Sequence, residues 1–496
     1  MIIIVRIRQE IMIMKKTTIL LLLAALLLAA SCGGGAASAD TTAANADETT
    51  AAETKAVYPY AIKDFGGYEF TFLNQDACNW ANRLLVPTES TGELVNDAMY
   101  QRNMKVEETL GIRIVEEVAA KDDLQTLIKA TVNAGDAAYD AAMCPIDNTG
   151  GLLLDGYFAD LGEISTLKLD DAWWDQTVKD AATIGGGCYF ATSDISFFPF
   201  ESTWVLYFNK EKMDKLKLDY PYQLVRDGKW TIDKLTEYTK NAANLNGQDT
   251  FAYNQTNGTA DYGLITHSQF MEVLMFGFGE SYLDESGSTP KFTGTGERLI
   301  TGFEKIAAMT GSEGAYIDRD VITITGGDDS IAVEYKKGRF MFMAEVLGHI
   351  SNLRDNEANF GVVPIPKLDE AQKDYHSLIG SWGTLMTTIP RSCADLERSG
   401  MVLDMMAYES SISLLEPYYN TYLTQKGVRD NDSADMLQIV RTTRTINVGK
   451  MFGWTTSMIN SINLSQAAGE ASQSSALASA VSSINESIKK TYDALK

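Results

Sequence analysis

The sequence contains few of the residues that build catalytic and metal centres. Its 496 residues include only three histidines and five cysteines. The histidines, His267, His349 and His376, are far apart in the chain, and none lies in an HExxH arrangement, which argues against a zinc hydrolase. The cysteines form no CxxC pair, so no cysteine metal site is predicted either. We therefore expect a protein with no metal, no cofactor and no catalytic residues, which is not an enzyme.

Basic residues are also scarce. Lysine and arginine number 42 against 66 aspartates and glutamates, which gives a formal net charge of −24. A protein that neutralises phosphates needs clustered lysine and arginine, so nucleic acid is not an expected partner. An acidic balance of this size favours solubility outside the cell.

No apolar run at the amino end is long enough to cross a bilayer. The run from Ile19 to Ala30 follows Lys15 and Lys16 and leads to Ser31 and Cys32, which is the pattern of a secretory signal peptide. The exit resembles the lipobox of bacterial lipoproteins, in which the cysteine is lipidated after cleavage. We predict that residues 1–31 are a signal peptide with a lipobox and that Cys32 carries the lipid. Loss of this segment, with four basic residues and one acidic residue, changes the net charge from −24 to −27.

The next segment lacks the residues that build a core. Between Gly33 and Lys55 there is no aromatic residue and no aliphatic residue larger than alanine. Such a segment cannot bury enough apolar surface to offset its ordering entropy. We predict that residues 32–57 are a flexible tether.

The first part of the folded region has the pattern of a parallel α/β sheet. Strand and helix patterns alternate in the order β-α-β-α-β, at Tyr68–Leu73, Glu93–Leu110, Ile112–Val118, Leu124–Val132 and Tyr139–Cys144. Crossovers of this kind produce parallel strands with right-handed connections. Ligands of such sheets lie beyond the carboxyl ends of the strands. This makes Trp80, after the first strand, and Asp147, in a turn-rich stretch from Pro145 to Gly151, candidate ligand-binding residues.

Four later segments resemble one known family in the same order along the chain. They are WVLYFNKEKMDKL at 204–216, KGRFMF at 337–342, NFGVVPIPK at 359–367 and GSWGTLMTTIP at 380–390. They are similar to the extracellular solute-binding proteins of ATP-driven importers, the family 1 group that includes maltose-binding protein. The first and last resemble the segments that cross between the two lobes of that family.

The resemblance implies the fold and its division into domains. The expected fold is α/β, a two-lobed periplasmic-binding-protein type II fold (a Venus-flytrap) with crossing hinge segments near Glu201, Ser377 and Val448. The first lobe is expected to contain residues 58–200 plus 380–447. The second is expected to contain residues 201–379 plus 448–496, and the ligand to lie between them.

The resemblance and the chemistry of sugars together suggest site residues. Sugars present flat C–H faces and a rim of hydroxyls, so their sites need aromatic platforms with carboxylates nearby. Besides Trp80 and Asp147, the candidates are Asp194, Glu201, Trp204, Phe276, Glu345, Trp382 and Trp454. Packing in the core or hinge is the alternative role of each aromatic residue, and a turn or solvated position is that of the carboxylates.

The functional hypothesis is capture of a small solute, with a mono- or oligosaccharide favoured, and its delivery to the permease of an ABC transporter. The receptor would be a monomer held by its lipid on the extracellular face of the cytoplasmic membrane. Three alternatives remain open at this point. They are a secreted glycan-active enzyme with two catalytic carboxylates, a mainly helical glycan-capturing lipoprotein, and the same receptor fold with a peptide or another small solute.

Overall fold

The computed structural model describes residues 57–495 except 77–83, 281–282, 285, 295, 323, 328–329, 354–358, 382–383, 416, 419–429 and 466–469. The signal peptide, Cys32 and nearly all of the tether therefore lie outside the described residues, as do Trp80 and Trp382.

The first sheet begins with three parallel strands. They are β1 (Tyr68–Gln75), β2 (Ile112–Ala119) and β3 (Ala141–Pro145), with β1 in the middle. Helices Leu94–Leu110 and Lys121–Ala134 connect them, which confirms the predicted β-α-β-α-β order. The first helix ends at Gly111, whose φ of 60° lies in the left-handed region that glycine tolerates.

The second sheet is mixed and has five strands in the described part of the chain. They are β4 (Trp204–Asn209), β5 (Tyr262–Thr266), β6 (Tyr316–Asp318), β7 (Phe340–Val346) and β8 (Phe360–Val363), in the order β6-β5-β7-β4-β8. The strand β5 is parallel to β6 and β7, whereas β4 is antiparallel to β7 and β8. Every residue of β4, β5, β7 and β8 is buried, as expected for strands with both faces covered.

The chain then returns to the first sheet. Strand β9 (Leu385–Thr388) pairs antiparallel with β3, with Thr387 opposite Met143. The first sheet thus contains three strands that precede the second sheet in the sequence and one strand, β9, that follows it.

Further helices and short strand pairs complete the described structure. The helices are Ile146–Leu154, Gln176–Ala182, Phe198–Glu201, Lys210–Leu216, Tyr222–Arg226, Ile232–Ala242, Phe270–Gly277, Glu297–Thr310, Ser330–Lys336, Ile350–Leu353, Leu396–Ser413, Asn431–Thr442, Val448–Met451, Thr456–Ser465 and Glu470–Ala494, with 3-10 turns at Leu161–Glu163 and Leu347–His349. The short pairs are Thr183–Ile184 with Gly187–Cys188, Leu283–Asp284 with Lys291–Phe292, and Ser377–Leu378 with Arg444–Thr445. Among the described residues, no helix combines the length and apolar character that crossing a membrane would require.

Three segments run side by side where the chain passes between the two sheets. They are residues 202–203, 377–380 and 443–445, and we refer to them as the crossing segments. The Ser377 N–H donates to the Thr443 carbonyl at 2.9 Å, and the Gly380 N–H donates to the Ser202 carbonyl at 2.8 Å. The positions expected near Glu201, Ser377 and Val448 are therefore close to one another in the fold.

One helix departs from the expected division of the chain. Asn431–Thr442, which the sequence assigns to the first lobe, packs against β8 of the second sheet. Its buried Ser433 hydroxyl accepts the Val362 N–H at 3.2 Å and lies 2.6 Å from the Tyr222 hydroxyl. These bonds satisfy polar groups that would otherwise be buried without partners, and they associate the helix with the second sheet.

The stretch after β3, for which the sequence predicts turns, also differs from the prediction. Residues 146–154 form a helix that begins directly after the strand, so Asp147 lies in a first helical turn rather than in a loop. One of the two glycines that suggested a turn is needed for packing. A side chain on Gly150 would approach the Phe452 backbone to 2.7 Å, so glycine permits close packing of this helix against a later segment.

Candidate ligand-binding site

A pocket of about 400 Å³ lies beside the crossing segments at the edge of the second sheet. It is lined by Ser202, Trp204, His267, Gln269, Arg319, Asp320, Glu345, Val346, His349 and Gly380. The parallel strands β5, β6 and β7 place polar residues there, because their carboxyl ends meet at one edge. His267 directly follows β5, Arg319 and Asp320 follow β6, and Glu345 lies near the end of β7.

Glu345 is a buried carboxylate, with 3% of the residue exposed. Its Oε1 lies 2.5 Å from His267 Nε2, and its Oε2 accepts the Val346 N–H at 2.9 Å. The Nε2 of His349 is 3.6 Å from the same Oε2. Burial alone would raise the pKa of Glu345, but the two histidines outweigh it and lower the pKa to about 2. The side chain is therefore ionised at physiological pH.

His267 bridges two carboxylates. Its Nε2 contacts Glu345, and its Nδ1 is 3.7 Å from Asp320 Oδ1. Burial would lower the pKa of His267, yet Glu345 and Asp320 together raise it to about 10, so the ring is an imidazolium. Within the described residues, no group of three or more His, Cys, Asp or Glu side chains has the arrangement of a metal site.

Trp204 begins β4 and is only 3% exposed. Its ring meets His267 edge-on, with centroids 6.4 Å apart, and is tilted against Phe270 at 6.3 Å. In the described part of the chain, its buried Nε1 has no hydrogen-bond partner, and neither do the hydroxyls of Ser202 and Ser381. Buried polar groups are normally bonded, so these atoms have unused capacity to bond a ligand or a water molecule.

Two of the residues proposed from the sequence, Trp204 and Glu345, line this pocket together. Glu201 lies just before the first crossing segment, where its Oε1 accepts a hydrogen bond from the Tyr418 hydroxyl at 3.0 Å. It does not line the pocket, although it is close to it in sequence.

The remaining described candidates lie elsewhere. The exposed Asp147 is in the helix after β3, and Phe276 is buried within helix Phe270–Gly277. Asp194 pairs with Arg441, whose Nη2 is 3.5 Å away. Trp454 donates its N–H to Thr491 Oγ1 at 2.8 Å, so its indole helps to fix the last helix.

Sequence reasoning missed most of the polar lining, including His267, Gln269, Arg319 and Asp320. The spacing of the histidines excludes a zinc motif but does not indicate this role, and no motif marks the DRD sequence at 318–320. A signal was present, because these residues follow short apolar strands whose carboxyl ends are the usual place for a ligand.

Comparison with protein families gives a decisive match. The model of the family described as bacterial extracellular solute-binding protein matches residues 102–399, which is more than half of the chain. The chain belongs to the bacterial extracellular solute-binding proteins. Membership agrees with the resemblance found in the four ordered motifs.

A curated relative of this solute-binding protein comes from Streptococcus pneumoniae strain R6. It is named a maltooligosaccharide ABC transporter solute-binding lipoprotein and is 22% identical over 306 residues. The match covers 59% of this chain and 64% of the relative, which is less than two thirds of the relative's length.

Solved structures of similar fold cover most of the chain. The cyclic α-maltosyl-1,6-maltose binding protein of Arthrobacter globiformis is 13% identical, with a TM-score of 0.59, and covers 86% of this chain and 100% of its own. The maltose/maltodextrin-binding domain of Bdellovibrio bacteriovorus, bound to maltotriose, is 14% identical, with a TM-score of 0.53, and covers 85% and 100%. These likenesses establish the two-lobed α/β fold. The two sheets also contradict the mainly helical alternative.

Proposed function

We propose that this protein captures an oligosaccharide in the pocket beside the crossing segments and delivers it to the membrane subunits of an ABC importer. The observation that carries the proposal is the position of Trp204 and Glu345 in one pocket, at the place where the chain passes between the two sheets. The named ligands of the pneumococcal relative and of the Bdellovibrio neighbour support a glucose oligomer.

The pocket offers the hydrogen-bonding groups that a sugar requires. Arg319 and Gln269 supply donors, Asp320 and the Gln269 carbonyl supply acceptors, and the buried indole N–H of Trp204 is a donor. A volume of about 400 Å³ is in the usual range for a small-molecule site. Hydroxyls both donate and accept, so a sugar can satisfy both kinds of group.

The proposal includes the division of the chain and its anchoring. The lobes would be residues 58–200 with 380–413, and residues 201–379 with 431–496, after reassignment of helix Asn431–Thr442. Lipidation of Cys32 and a tether up to residue 57 would hold a monomer on the outer face of the cytoplasmic membrane. Trp382 remains a proposed ligand contact from the sequence alone.

Binding can be tested by thermal-shift screening of the mature protein against oligosaccharides and peptides, followed by calorimetric titration. We expect maltooligosaccharides to stabilise the protein. Trp204→Phe should weaken their binding about tenfold, because the indole N–H is lost. Trp173→Phe is the matched control, since Trp173 bonds Asp404 rather than lining the pocket.

Stabilisation by peptides alone would contradict the sugar assignment and leave the receptor assignment standing. The enzyme alternative makes a separate prediction, the appearance of new reducing ends when the protein is incubated with oligosaccharides. We expect none.

A further inference from the structure

The indole of Trp204 differs from the other tryptophan side chains that the structure describes. The others donate their indole N–H groups to protein acceptors, and they are Trp173, Trp174, Trp230 and Trp454. Trp204 is also buried, yet its Nε1 has no partner among the described residues. Buried N–H groups are normally bonded. Because Trp204 lines the pocket, this unused donor indicates an acceptor that arrives with the ligand.

A second unused polar group lines the same pocket. Ser202 is 1% exposed, and its hydroxyl has no partner in the part of the chain that the structure describes. An indole N–H only donates, whereas a serine hydroxyl both donates and accepts. A ligand hydroxyl can satisfy both groups, because its oxygen can accept from Trp204 while its proton is donated to Ser202 Oγ. A methylene group can make neither bond.

Gly380 leaves space beside these two groups. It lies on the second crossing segment and also lines the pocket. Its φ is outside the left-handed region, so the backbone conformation does not require glycine. A β-carbon at this position would lie 3.2 Å from Trp204 Nε1 and 3.0 Å from the Ser202 carbonyl oxygen. A hydrogen-bonded ligand oxygen would lie about 2.7 to 3.2 Å from the same nitrogen, so a side chain at 380 would compete with it for space.

We infer that Ser202, Trp204 and Gly380 form a subsite for one hydroxyl of the sugar, in which Gly380 determines specificity by keeping the indole N–H accessible. We call these three residues the hydroxyl subsite. This inference rests on the proposed function and deepens it, because it specifies a ligand group that both accepts and donates. A sugar without that hydroxyl leaves the buried indole N–H unpaired, which should cost about tenfold in affinity.

The first test compares maltotriose with its monodeoxy analogues, each of which lacks one hydroxyl, by calorimetric titration. We expect the unmodified protein to bind one analogue about tenfold more weakly than maltotriose. Trp204→Phe should bind that analogue and maltotriose alike, because the donor to the missing hydroxyl is gone. Trp173→Phe is the matched control. Its indole donates to Asp404 at 3.1 Å outside the pocket, so the variant should retain the discrimination.

A double-mutant cycle tests the role of Gly380. Gly380→Ala should weaken maltotriose binding about tenfold in the unmodified protein and little in Trp204→Phe, because both changes remove the same hydrogen bond. Gly151→Ala is the matched control, since its β-carbon would meet nothing within 4 Å and lies outside the pocket. Urea denaturation establishes that each variant is folded. An equal loss in both backgrounds would mean that glycine serves only the pairing of the crossing segments, and would overturn the role of Gly380.

Indole nitrogen–proton spectra measure the hydrogen bond directly, and Trp204→Phe assigns the Trp204 resonance. We expect saturating maltotriose to shift the Trp204 indole proton downfield, and the weakly bound analogue to leave it unshifted. Trp230 and Trp454 are internal controls, because their N–H groups already have protein acceptors.

Two kinds of failure can be told apart. If maltotriose binds without shifting the Trp204 resonance, or if Trp204→Phe still discriminates against the same analogue, the hydroxyl subsite is wrong and the proposed function stands. If no oligosaccharide binds, the proposed function and the inference fail together.

Discussion

At the scale of single residues, one buried carboxylate outside the pocket accepts several hydrogen bonds. Asp404 is fully buried and accepts four hydrogen bonds. The indoles of Trp173 and Trp174 donate to its Oδ1 at 3.1 and 2.9 Å, as does the Lys168 amide at 2.9 Å, and the Tyr58 hydroxyl donates to Oδ2 at 2.7 Å. One side chain thus connects the start of the fold, a loop and a long helix.

Asp404→Ala should lower the free energy of unfolding by about 3 to 5 kcal/mol, because several buried donors lose their acceptor at once. Urea denaturation measures the change. Asp404→Asn retains one acceptor and should cost less. Asp170→Ala is the matched control, since the Asp170 side chain is 94% exposed in its ion pair with Lys179 and should cost under about 1 kcal/mol. Equal losses at the two sites would refute this account.

Glu201 gives stability a dependence on pH. Burial raises the pKa of its carboxyl to about 7, and the hydrogen bond from Tyr418 offsets only part of that rise. The folded protein therefore holds this proton more tightly than the unfolded chain, in which a glutamate has a pKa of about 4.3. Its contribution to stability is complete below about pH 4 and is lost as pH rises to about 7.

The side chain in the Glu201→Gln variant cannot ionise, so the stability of this variant should not fall in this way as pH rises. We expect the wild-type free energy of unfolding to fall relative to the variant by about 2.5 kcal/mol between pH ~5 and pH ~8. Urea midpoints at the two pH values measure the difference. Glu211→Gln, at an exposed site, should retain the wild-type dependence. If the free energies of unfolding of wild type and Glu201→Gln change equally with pH, the pKa of the Glu201 carboxyl is not raised in the folded protein.

At the scale of elements, two adjacent glycines in one helix have opposite roles. Gly150 faces the Phe452 backbone at a distance that leaves no space for a side chain, whereas a side chain on Gly151 would meet nothing within 4 Å. The helix that carries them, Ile146–Leu154, packs against Val448–Met451 beyond the third crossing segment. The first glycine permits this contact, and the second only lowers helix propensity.

Gly150→Ala should therefore destabilise the protein by about 1 to 3 kcal/mol through overpacking. Gly151→Ala should stabilise it by about 0.5 to 1 kcal/mol through helix propensity. The two variants have the same composition and can be compared directly by urea denaturation. Destabilisation of the same size in both would mean that close packing at Phe452 is not the reason for glycine.

Helices and strands were predictable from the sequence where the pattern that indicates them is local. The helix Leu94–Leu110 and its final Gly111 follow from an apolar stripe and one glycine, and the structure has them within a residue of the prediction. The glycine pair within helix Ile146–Leu154 predicts a turn instead, because the sequence does not show that Gly150 is needed for a contact with Phe452, about 300 positions away. A pattern read along the chain does not contain such a contact.

The site was less predictable for the same reason. Trp204 and Glu345 came from the family resemblance, and the structure places them in one pocket. Their partner His267 is separated from Glu345 by 78 positions, so no local spacing could indicate the pair. Trp454 has the right residue type near a crossing segment, but its N–H is already bonded within the same part of the fold.

At the scale of the whole molecule, the three crossing segments connect the two lobes of the fold. Strand pairing between Ser377–Leu378 and Arg444–Thr445 holds two of the segments together. A short side-by-side connection lets two lobes rotate while each retains its packing. Only contacts that differ between the open and closed states can drive such a rotation, and a ligand that bonded the unpartnered Trp204 Nε1 would add one.

This arrangement predicts that ligand binding and compaction are coupled. Saturation with an oligosaccharide should reduce the radius of gyration in small-angle scattering. At a ligand concentration 100-fold above the dissociation constant, it should also raise the free energy of unfolding by about 2.7 kcal/mol. Trp204→Ala should show neither effect at the same concentration, because it removes both a face and a donor of the pocket. Stabilisation without compaction would mean that the ligand is held by one lobe alone and that the crossing segments do not act as a hinge.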